Sequence, residues 1–470
     1  MIDVSLEWVA HAVHGELHGI IDKQRVINQV STDTRASLES ALFIALKGDQ
    51  FDAHDFIPQA LEKGAAAIVS QQPLADDIPH ILVDDTRYAL GQLGAAVKAE
   101  VAPKTIAITG SNGKTTVKEM LAAIIGQRHK VLATAGNFNN DIGVPLTLLR
   151  LEAQHQYAVI ELGANHAGEI AYTTSLTRPD VAILNNVSAA HVEGFGSVQG
   201  VAKAKTEIFQ GLPESGLAIT PYESEYLPCW RKVRSGKRLQ TFGLSEQADV
   251  SASEIELNSL GQATFKLSIN DQSWTVALQL SGLHNVKNAL AASAAALEIG
   301  MSAEEIIAGL ATLSPVKGRL TPIQLANNLT VIDDTYNASV ASTKAALDLL
   351  GSYQGTTIMV LGDMAELGAE ARAYHEEIGE HAIQAGIGKF FTLGVLSQSA
   401  SEVFNGRGGK HFSSIDGLVN EVLQTITQQS ANDRVTVLVK GSRSSHMERV
   451  VNALQEHYKN AESQGDQHAC

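Results

Sequence analysis

The stretch TGSNGKTTVKEM, residues 109–120, places two glycines, a lysine and two threonines directly after the β-branched run TIAIT. Glycines let backbone amides converge on an anion, and the first turn of a following helix adds a favourable dipole. Lys114 would supply a point charge, and the hydroxyl of Thr115 could reach a magnesium ion. Gly110, Ser111, Asn112, Gly113, Lys114, Thr115 and Thr116 therefore read as a phosphate-binding loop. The residue five positions before Gly113 is Ile108, so the usual G-x-x-x-x-G-K-[ST] spacing fails and this loop is shorter. A glycine-rich turn with a surface lysine would share the letters; the order strand, loop, helix favours phosphate.

Magnesium–nucleotide chemistry needs hard oxygen ligands near the phosphates. In a parallel sheet, ligands bind outside the carboxyl ends of the strands, where Glu161 closes YAVIE and His191 follows DVAILNNVSAA. By position alone Glu161 is equally a solvated strand-end carboxylate, and His191 a core or capping residue. In GVAKAKTEIF, Lys203, Lys205 and Glu207 read first as a solvated helix face. Asn285 and Asn288 in GLHNVKNALAA are i,i+3 neighbours on one helix face, or cap its start. Two motifs carry no weight. The histidines of HEEIGEH, residues 375–381, are six apart, about 240° round a helix, and cannot chelate one ion. GFGSVQG has one residue too many for a dinucleotide fingerprint.

These residues need elements to hold them. The chain has 470 residues, long enough for about three domains. Residues 1–85 carry short β-like runs (ALFIAL, AAAIVS, HILVDD) and read as a small α/β unit, followed by a helix over TRYALGQLGAAVKAEV. Over 86–315, the apolar runs TIAIT, KVLAT, YAVIEL and DVAILNN alternate with helical stretches from Lys114, Ile142, Glu169 and Val198, which predicts a parallel sheet covered on both faces. ATFKLSIN and SWTVALQL alternate with period two and predict an antiparallel flap. Helices follow over 283–299 and 302–313, the second with a capping box at Ser302 and Glu305. Over 316–470, LTVIDD, TTIMVLGD, KFFTLG and RVTVLVKGS each precede a helix, predicting a second, Rossmann-like doubly wound sheet; the polar C-terminal end reads as frayed.

Composition narrows the function. Lys plus Arg number 35 against 51 Asp plus Glu, a net charge of −16, which disfavours nucleic acid as a partner. The two cysteines, Cys229 and Cys470, give no disulfide framework, and the acidic start MIDVSLEWVA lacks a signal-peptide pattern. No apolar run is long enough to span a bilayer. A cytoplasmic protein without membrane insertion is expected.

The displaced first glycine, together with AGNFNNDIGVPLTLLR, ELGANHAGEI, NNVSAAHVEGFGS, AKTEIF, GLHNVKNALAA, PVKGRL, DDTYNAS, LGDMAELG and VKGSRS, resembles the Mur ligases over most of the chain. The resemblance implies an ATP- and Mg²⁺-dependent amide ligase, acting as a monomer on UDP-N-acetylmuramoyl-tripeptide and D-alanyl-D-alanine through an acyl phosphate. It implies that Glu161 and His191 bind magnesium with Thr115, and that Lys205, fourteen residues after His191, is carbamylated as a further ligand. Asn285 and Asn288 would lie near adenine, with Arg319 and Asp333 contacting phosphate and ribose from the C-terminal domain. Asp33, Thr34, Arg35 and Lys47 would contact the UDP-sugar, though each is equally an exposed turn residue by its letters, and Asn137, Asn139 and Asn140 would flank its reacting end. Asp363, Ser442 and Arg443 are the expected dipeptide contacts, Arg443 pairing with its carboxylate; a helix cap by Ser445 and Glu448 would explain part of the VKGSRS motif without function. Where the family more often has Asn-Pro this chain has Ser339-Val340. A ligase adding a single amino acid, of Mur or folylpolyglutamate type, and a non-ligase nucleotide switch are the alternatives.

Overall fold

The computed structural model describes residues 1–19, 22–48, 51–189, 192–233, 236–270, 272–430 and 432–467. Near the N-terminus, five short strands form one sheet in the order Glu16–His18, His80–Leu82, Ala67–Ser70, Leu42–Ile44, Val30–Ser31. Its first pair is antiparallel and the others are parallel.

The helix Thr86–Val101 leaves this sheet, its first turn capped by the Asp85 carboxylate, which accepts from the N–H groups of Arg87 and Tyr88. Leu90, Leu93 and Val97 recur along one stripe and are fully buried. They share one core with Val9, Ile27 and Leu42 on one side and with Leu148 and Ile160 on the other. Gly94 permits the close approach: a Cβ there would stand 3.0 Å from Pro145 Cα.

The central sheet has nine strands, and Lys104–Thr109 lies between Val181–Leu184 and Tyr157–Glu161. All three run parallel. Their carboxyl ends lead to the phosphate loop, to Asn185 and to Glu161, so three chemically important positions meet on one rim. The helix Lys114–Ile125 is pinned to that rim by Val117, Met120, Leu121, Ile124 and Ile125, all buried at i,i+3 and i,i+4 spacing. Each such side chain contributes roughly 1.5–3 kcal/mol. The expected antiparallel segment comprises Val250–Leu257, Gln262–Ile269 and Gln272–Ser281. It is continuous with the central sheet, because Val250–Leu257 also pairs in parallel with Arg238–Gly243. The capping box forms: Glu305 N–H donates to Ser302 Oγ, and Ser302 N–H donates to Glu305 Oε2 at 2.8 Å.

A six-stranded sheet follows in the order Thr321–Ala326, Leu329–Asp334, Val435–Lys440, Thr356–Gly362, Lys389–Leu393, Gly409–Phe412. Only its first pair is antiparallel. The last helix, Glu448–Gln467, extends into the tail read as frayed; residues 468–470 lie outside the described residues. Among the described residues, no helix is long and apolar enough to cross a membrane.

The two histidines of HEEIGEH diverge on the helix Ala371–Gln384. His381 Nε2 pairs with Asp348 at 2.6 Å, whereas His375 is fully buried, accepting from Met364 N–H at Nε2 and donating from Nδ1 to Ala371 O. Burial holds the His375 pKa below the usual histidine value, against smaller opposing effects of the Ala371 carbonyl and Asp363. The unfolded chain therefore takes up this proton first, so stability is complete above about pH 6.5 and declines as pH falls below it. In thermal unfolding between about pH 7 and pH 5, His375→Gln should show a smaller acid-induced drop in Tm than the wild type. Equal drops would exclude His375 as the source.

Candidate functional site

The phosphate loop is braced from the neighbouring strand end. Asn186 accepts Asn112 N–H at Oδ1 (2.8 Å), donates from Nδ2 to Asn112 O, and its carbonyl accepts Ser111 N–H. Ser111 Oγ bonds the Ser188 carbonyl, and Asn112 Nδ2 donates to Ser188 Oγ. The N–H groups of Gly113, Lys114, Thr115 and Thr116 have no acceptor among the described residues. Four convergent donors at a helix N-terminus form an anion site. Gly113 is left-handed, with φ of 78°, and a Cβ there would lie 2.5 Å from Asn185 Nδ2 and from Asn288 Oδ1. Those atoms belong to an amide ladder: Asn185 Nδ2 donates to Asn288 Oδ1, Asn288 Nδ2 to Asn285 Oδ1, and Asn285 Nδ2 to Ser281 O. Asn285 and Asn288 thus support the loop from beneath while lining the cleft.

Glu161, 3% exposed, accepts from Thr115 Oγ1 and from Asn139 Nδ2, each at 2.9 Å. Lys114 reaches back to the Gly110 carbonyl at 2.9 Å. Burial lowers the Lys114 pKa, with Glu161 opposing the shift. Lys205 corrects the solvated-face reading: it is 1% exposed, beside the Phe195 ring at 6.0 Å, and has no hydrogen-bond partner among the described residues. Burial first, and the Lys114 charge second, hold its pKa well below the lysine range. Lys203, two residues away, is exposed, and Glu207 caps the helix Glu169–Thr177 through Gly168 N–H and Ala171 N–H. His191 lies outside the described residues.

The C-terminal sheet closes the other wall. Arg319 Nη2 donates to Thr115 Oγ1 at 3.1 Å, and Ser339 Oγ donates to Asn112 Oδ1 at 2.8 Å. Ser339 also caps the helix Val340–Gly351, so the departure from Asn-Pro leaves a residue that joins this helix to the phosphate loop. Asp334, rather than Asp333, lines the cleft; it accepts Lys440 Nζ at 2.6 Å and Leu320 N–H at 3.2 Å. Asp333 is turned onto its own turn, accepting from Thr335 Oγ1 at 2.6 Å. His284 faces the cleft, its pKa pushed down to about 4 by burial and by the Lys440 ammonium, so it is neutral near pH 7.

One cleft of about 930 Å³ takes in the phosphate loop, Glu161, Asn137, Asn139, Asn140, Asn285, Asn288, Arg319, Ser442 and Arg443. Asp363 is not among its lining residues: its Oδ1 accepts Leu396 N–H and Ser397 N–H, a local loop brace. Ser442 Oγ accepts Ala365 N–H, and Arg443 pairs with Glu448 at 3.3 Å. Asp33, Thr34, Arg35 and Lys47 also lie outside this cleft. Arg35 clasps Asp33 and lowers that carboxyl to about 2, Thr34 bonds Gln59, and the Lys47 backbone pairs with that of Asp52 in an isolated antiparallel bridge. Residues missed from sequence are Asn185, Asn186, Ser339, Tyr336, Asp334 and Lys440. All six fall in the motifs NNVS, DDTYNAS and VKGSRS; what the letters lacked was which of their side chains turn inward.

A phosphate loop on the rim of a parallel sheet, facing a second doubly wound unit that bonds to it directly, defines a nucleotide-binding protein whose site is completed across a cleft. Three family models match: Mur ligase family, catalytic domain, over residues 26–128; Mur ligase middle domain over 108–296; and Mur ligase, glutamate ligase domain, over 318–443. The chain belongs to the Mur ligase family. It is 48% identical over 457 residues to the UDP-N-acetylmuramoyl-tripeptide–D-alanyl-D-alanine ligase of Escherichia coli, covering 97% of this chain and 99% of the relative. It resembles the crystal structure of MurF from Acinetobacter baumannii with a TM-score of 0.92 at 37% identity, covering 97% of this chain and 99% of that one. MurF from Thermotoga maritima in complex with ADP matches with a TM-score of 0.83 at 27% identity, covering 92% and 98%.

Gly113→Ala should separate the loop from the rest of the fold. The left-handed backbone costs roughly 1–2 kcal/mol for alanine, and the Cβ displaces the amide ladder. ADP affinity measured by calorimetry should fall by at least roughly ten-fold, since about 1.4 kcal/mol corresponds to that factor. An unchanged affinity would show that the loop tolerates a side chain here.

Proposed function

We propose that this protein joins D-alanyl-D-alanine to UDP-N-acetylmuramoyl-tripeptide at the expense of ATP, releasing ADP and phosphate. The observation that carries the reading is the single cleft of about 930 Å³ that unites an open phosphate loop with Asn137, Asn139 and Asn140 on one wall and Ser442 and Arg443 on the other. A nucleotide, an acceptor carboxylate and an incoming dipeptide can then meet in one place. The 48% identity to the E. coli ligase, over nearly the full length of both chains, supports this specificity.

The γ-phosphoryl group passes to the tripeptide carboxylate, forming a C–O–P linkage and ADP. The dipeptide amine attacks the acyl carbon, the tetrahedral adduct collapses, and inorganic phosphate leaves while the amine proton passes to solvent. The loop amides of residues 113–116 hold the phosphate oxygens, and Lys114 and Arg319 offset charge in transfer. Asn139 fixes Glu161 in orientation. Asn285 and Asn288 flank the adenine end, Asp334 and Lys440 hold the segment that carries Arg319, and Ser442 and Arg443 receive the dipeptide carboxylate. The exposed cations Arg35 and Lys47 are assigned to the UDP moiety.

Glu161 and the Thr115 hydroxyl are hard oxygen donors 2.9 Å apart, a pairing that fits Mg²⁺. A lysine ammonium does not fit; the buried Lys205, its pKa lowered by burial and by the Lys114 charge, fits once converted. The Lys205 nitrogen adds to the carbon of CO₂, forming an N–C bond and losing one proton, and the resulting carbamate is an anionic oxygen ligand. Magnesium held by Thr115, Glu161, His191 and this carbamate would neutralise charge on the phosphates.

Phosphate release should require ATP and both peptide substrates, and omission of either should reduce it to background. Release independent of both would mark an ATPase of another kind, and product formed with single amino acids instead of the dipeptide would reassign the substrate. Lys205→Ala should lower turnover by at least about 10- to 100-fold, the scale of a disturbed metal shell, whereas Lys203→Ala should not. Stripping CO₂ should lower wild-type turnover and bicarbonate should restore it; indifference to bicarbonate together with a fully active Lys205→Ala would remove the carbamate.

A further inference from the structure

Arg319 and Tyr336 stand on opposite flanks of a strand pair. Thr321–Ala326 and Leu329–Asp334 are antiparallel, with Thr321 opposite Asp333, which brings the residues before the first strand beside those after the second. Tyr336 N–H donates to Gly318 O at 3.0 Å. Gly318 has φ of 76°, and a Cβ there would lie 3.3 Å from Tyr336 Cβ. The Arg319 guanidinium consequently lies over the Tyr336 ring, 4.2 Å from its centroid.

The way this arginine is held matters more than the contact itself. Nη2 donates to Thr115 Oγ1, and Nε is buried without an acceptor among the described residues. The neighbouring carboxylate, Asp334, already accepts Lys440 Nζ and Leu320 N–H. A carboxylate clamp would fix the guanidinium by consuming its donors. An aromatic face fixes its plane and leaves the edge N–H groups free. The Tyr336 hydroxyl has no hydrogen-bond partner among the described residues, and the side chain is 36% exposed, so the ring is the part in use.

We propose that Tyr336 is a positioning residue for phosphoryl transfer: its ring holds Arg319 flat so that unpartnered guanidinium donors face the phosphate loop. This rests on the reading that Arg319 contacts nucleotide phosphate. A bare donor waiting at Nε suits an anionic oxygen that arrives with substrate, and Thr115 marks where that oxygen must come.

The test is steady-state ligase kinetics on the full chain with Tyr336→Phe, Tyr336→Leu, Arg319→Lys and the double variant Tyr336→Leu/Arg319→Lys. Tyr336→Phe should keep kcat within about 2-fold, and Tyr336→Leu should lower kcat by roughly 10-fold, between the exposed and the desolvated scale of a cation–π contact. KM for D-alanyl-D-alanine should not move. The double variant should be no more than about 2-fold worse than Arg319→Lys, because both remove the same interaction. Wild-type kcat in Tyr336→Leu, equal losses in Phe and Leu, or losses that multiply in the double variant would each overturn the proposal. Wild-type turnover in Arg319→Lys would overturn the reading of Arg319 as well; a severe loss there beside an unaffected Tyr336→Leu would overturn only the positioning role. Should Tyr336→Leu fail to fold, as judged by thermal unfolding, Tyr336→Gln carries the same expectations.

Discussion

Among the described residues, four peptide N–H groups, those of residues 113–116, have no internal partner at the start of one helix. Unpaired backbone donors are costly unless something outside the backbone accepts from them, so the surroundings have to impose the conformation. Asn186 does this from one strand end by bonding both the N–H and the carbonyl of Asn112, and the Asn185–Asn288–Asn285 ladder does it from below. The rigid parallel sheet and the apolar anchoring of Lys114–Ile125 serve the same constraint: they keep the helix from sliding while its first turn stays open.

The second sheet takes part in that constraint rather than merely bordering it. Arg319 and Ser339 each make a direct hydrogen bond to the phosphate loop, from segments more than two hundred residues away in sequence. Ser339 is at once the acceptor that starts a helix and the donor that reaches Asn112. A change in the loop is therefore felt at a helix terminus of the other unit, and the geometry of the reaction site depends on how the two are docked.

Much of this could be read from the letters. Strand runs ending in Glu161 and in the phosphate loop placed both on one rim, because a parallel sheet gathers its strand ends. Lys205 illustrates a limit: three charges in AKAKTE have the pattern of a wet surface, and only the packing of that helix, which also buries Val201 and Ala204, takes one of them inside. Asp333 and Asp334 illustrate another. Neighbours on a strand point to opposite faces, so a DD pair offers two equivalent choices until the partner strands are known, and Lys440 and Leu320 N–H select the second. Asp363 shows a third: a strand-end aspartate readily takes nearby backbone amides, and here Leu396 and Ser397 provide them. The Asn186 brace joins positions 74 residues apart, and no local pattern encodes such an approach.

The helix Thr86–Val101 has apolar contacts on both flanks, one toward the small N-terminal sheet and one toward the central sheet. The first eighty-five residues are consequently not a detachable accessory. A fragment that began beyond them would present Leu90, Leu93 and their neighbours to water as a bare oily strip, and would favour self-association over folding. Any refashioning of acceptor recognition in this molecule has to work around that seam, by changing outer turns and leaving the shared interior alone.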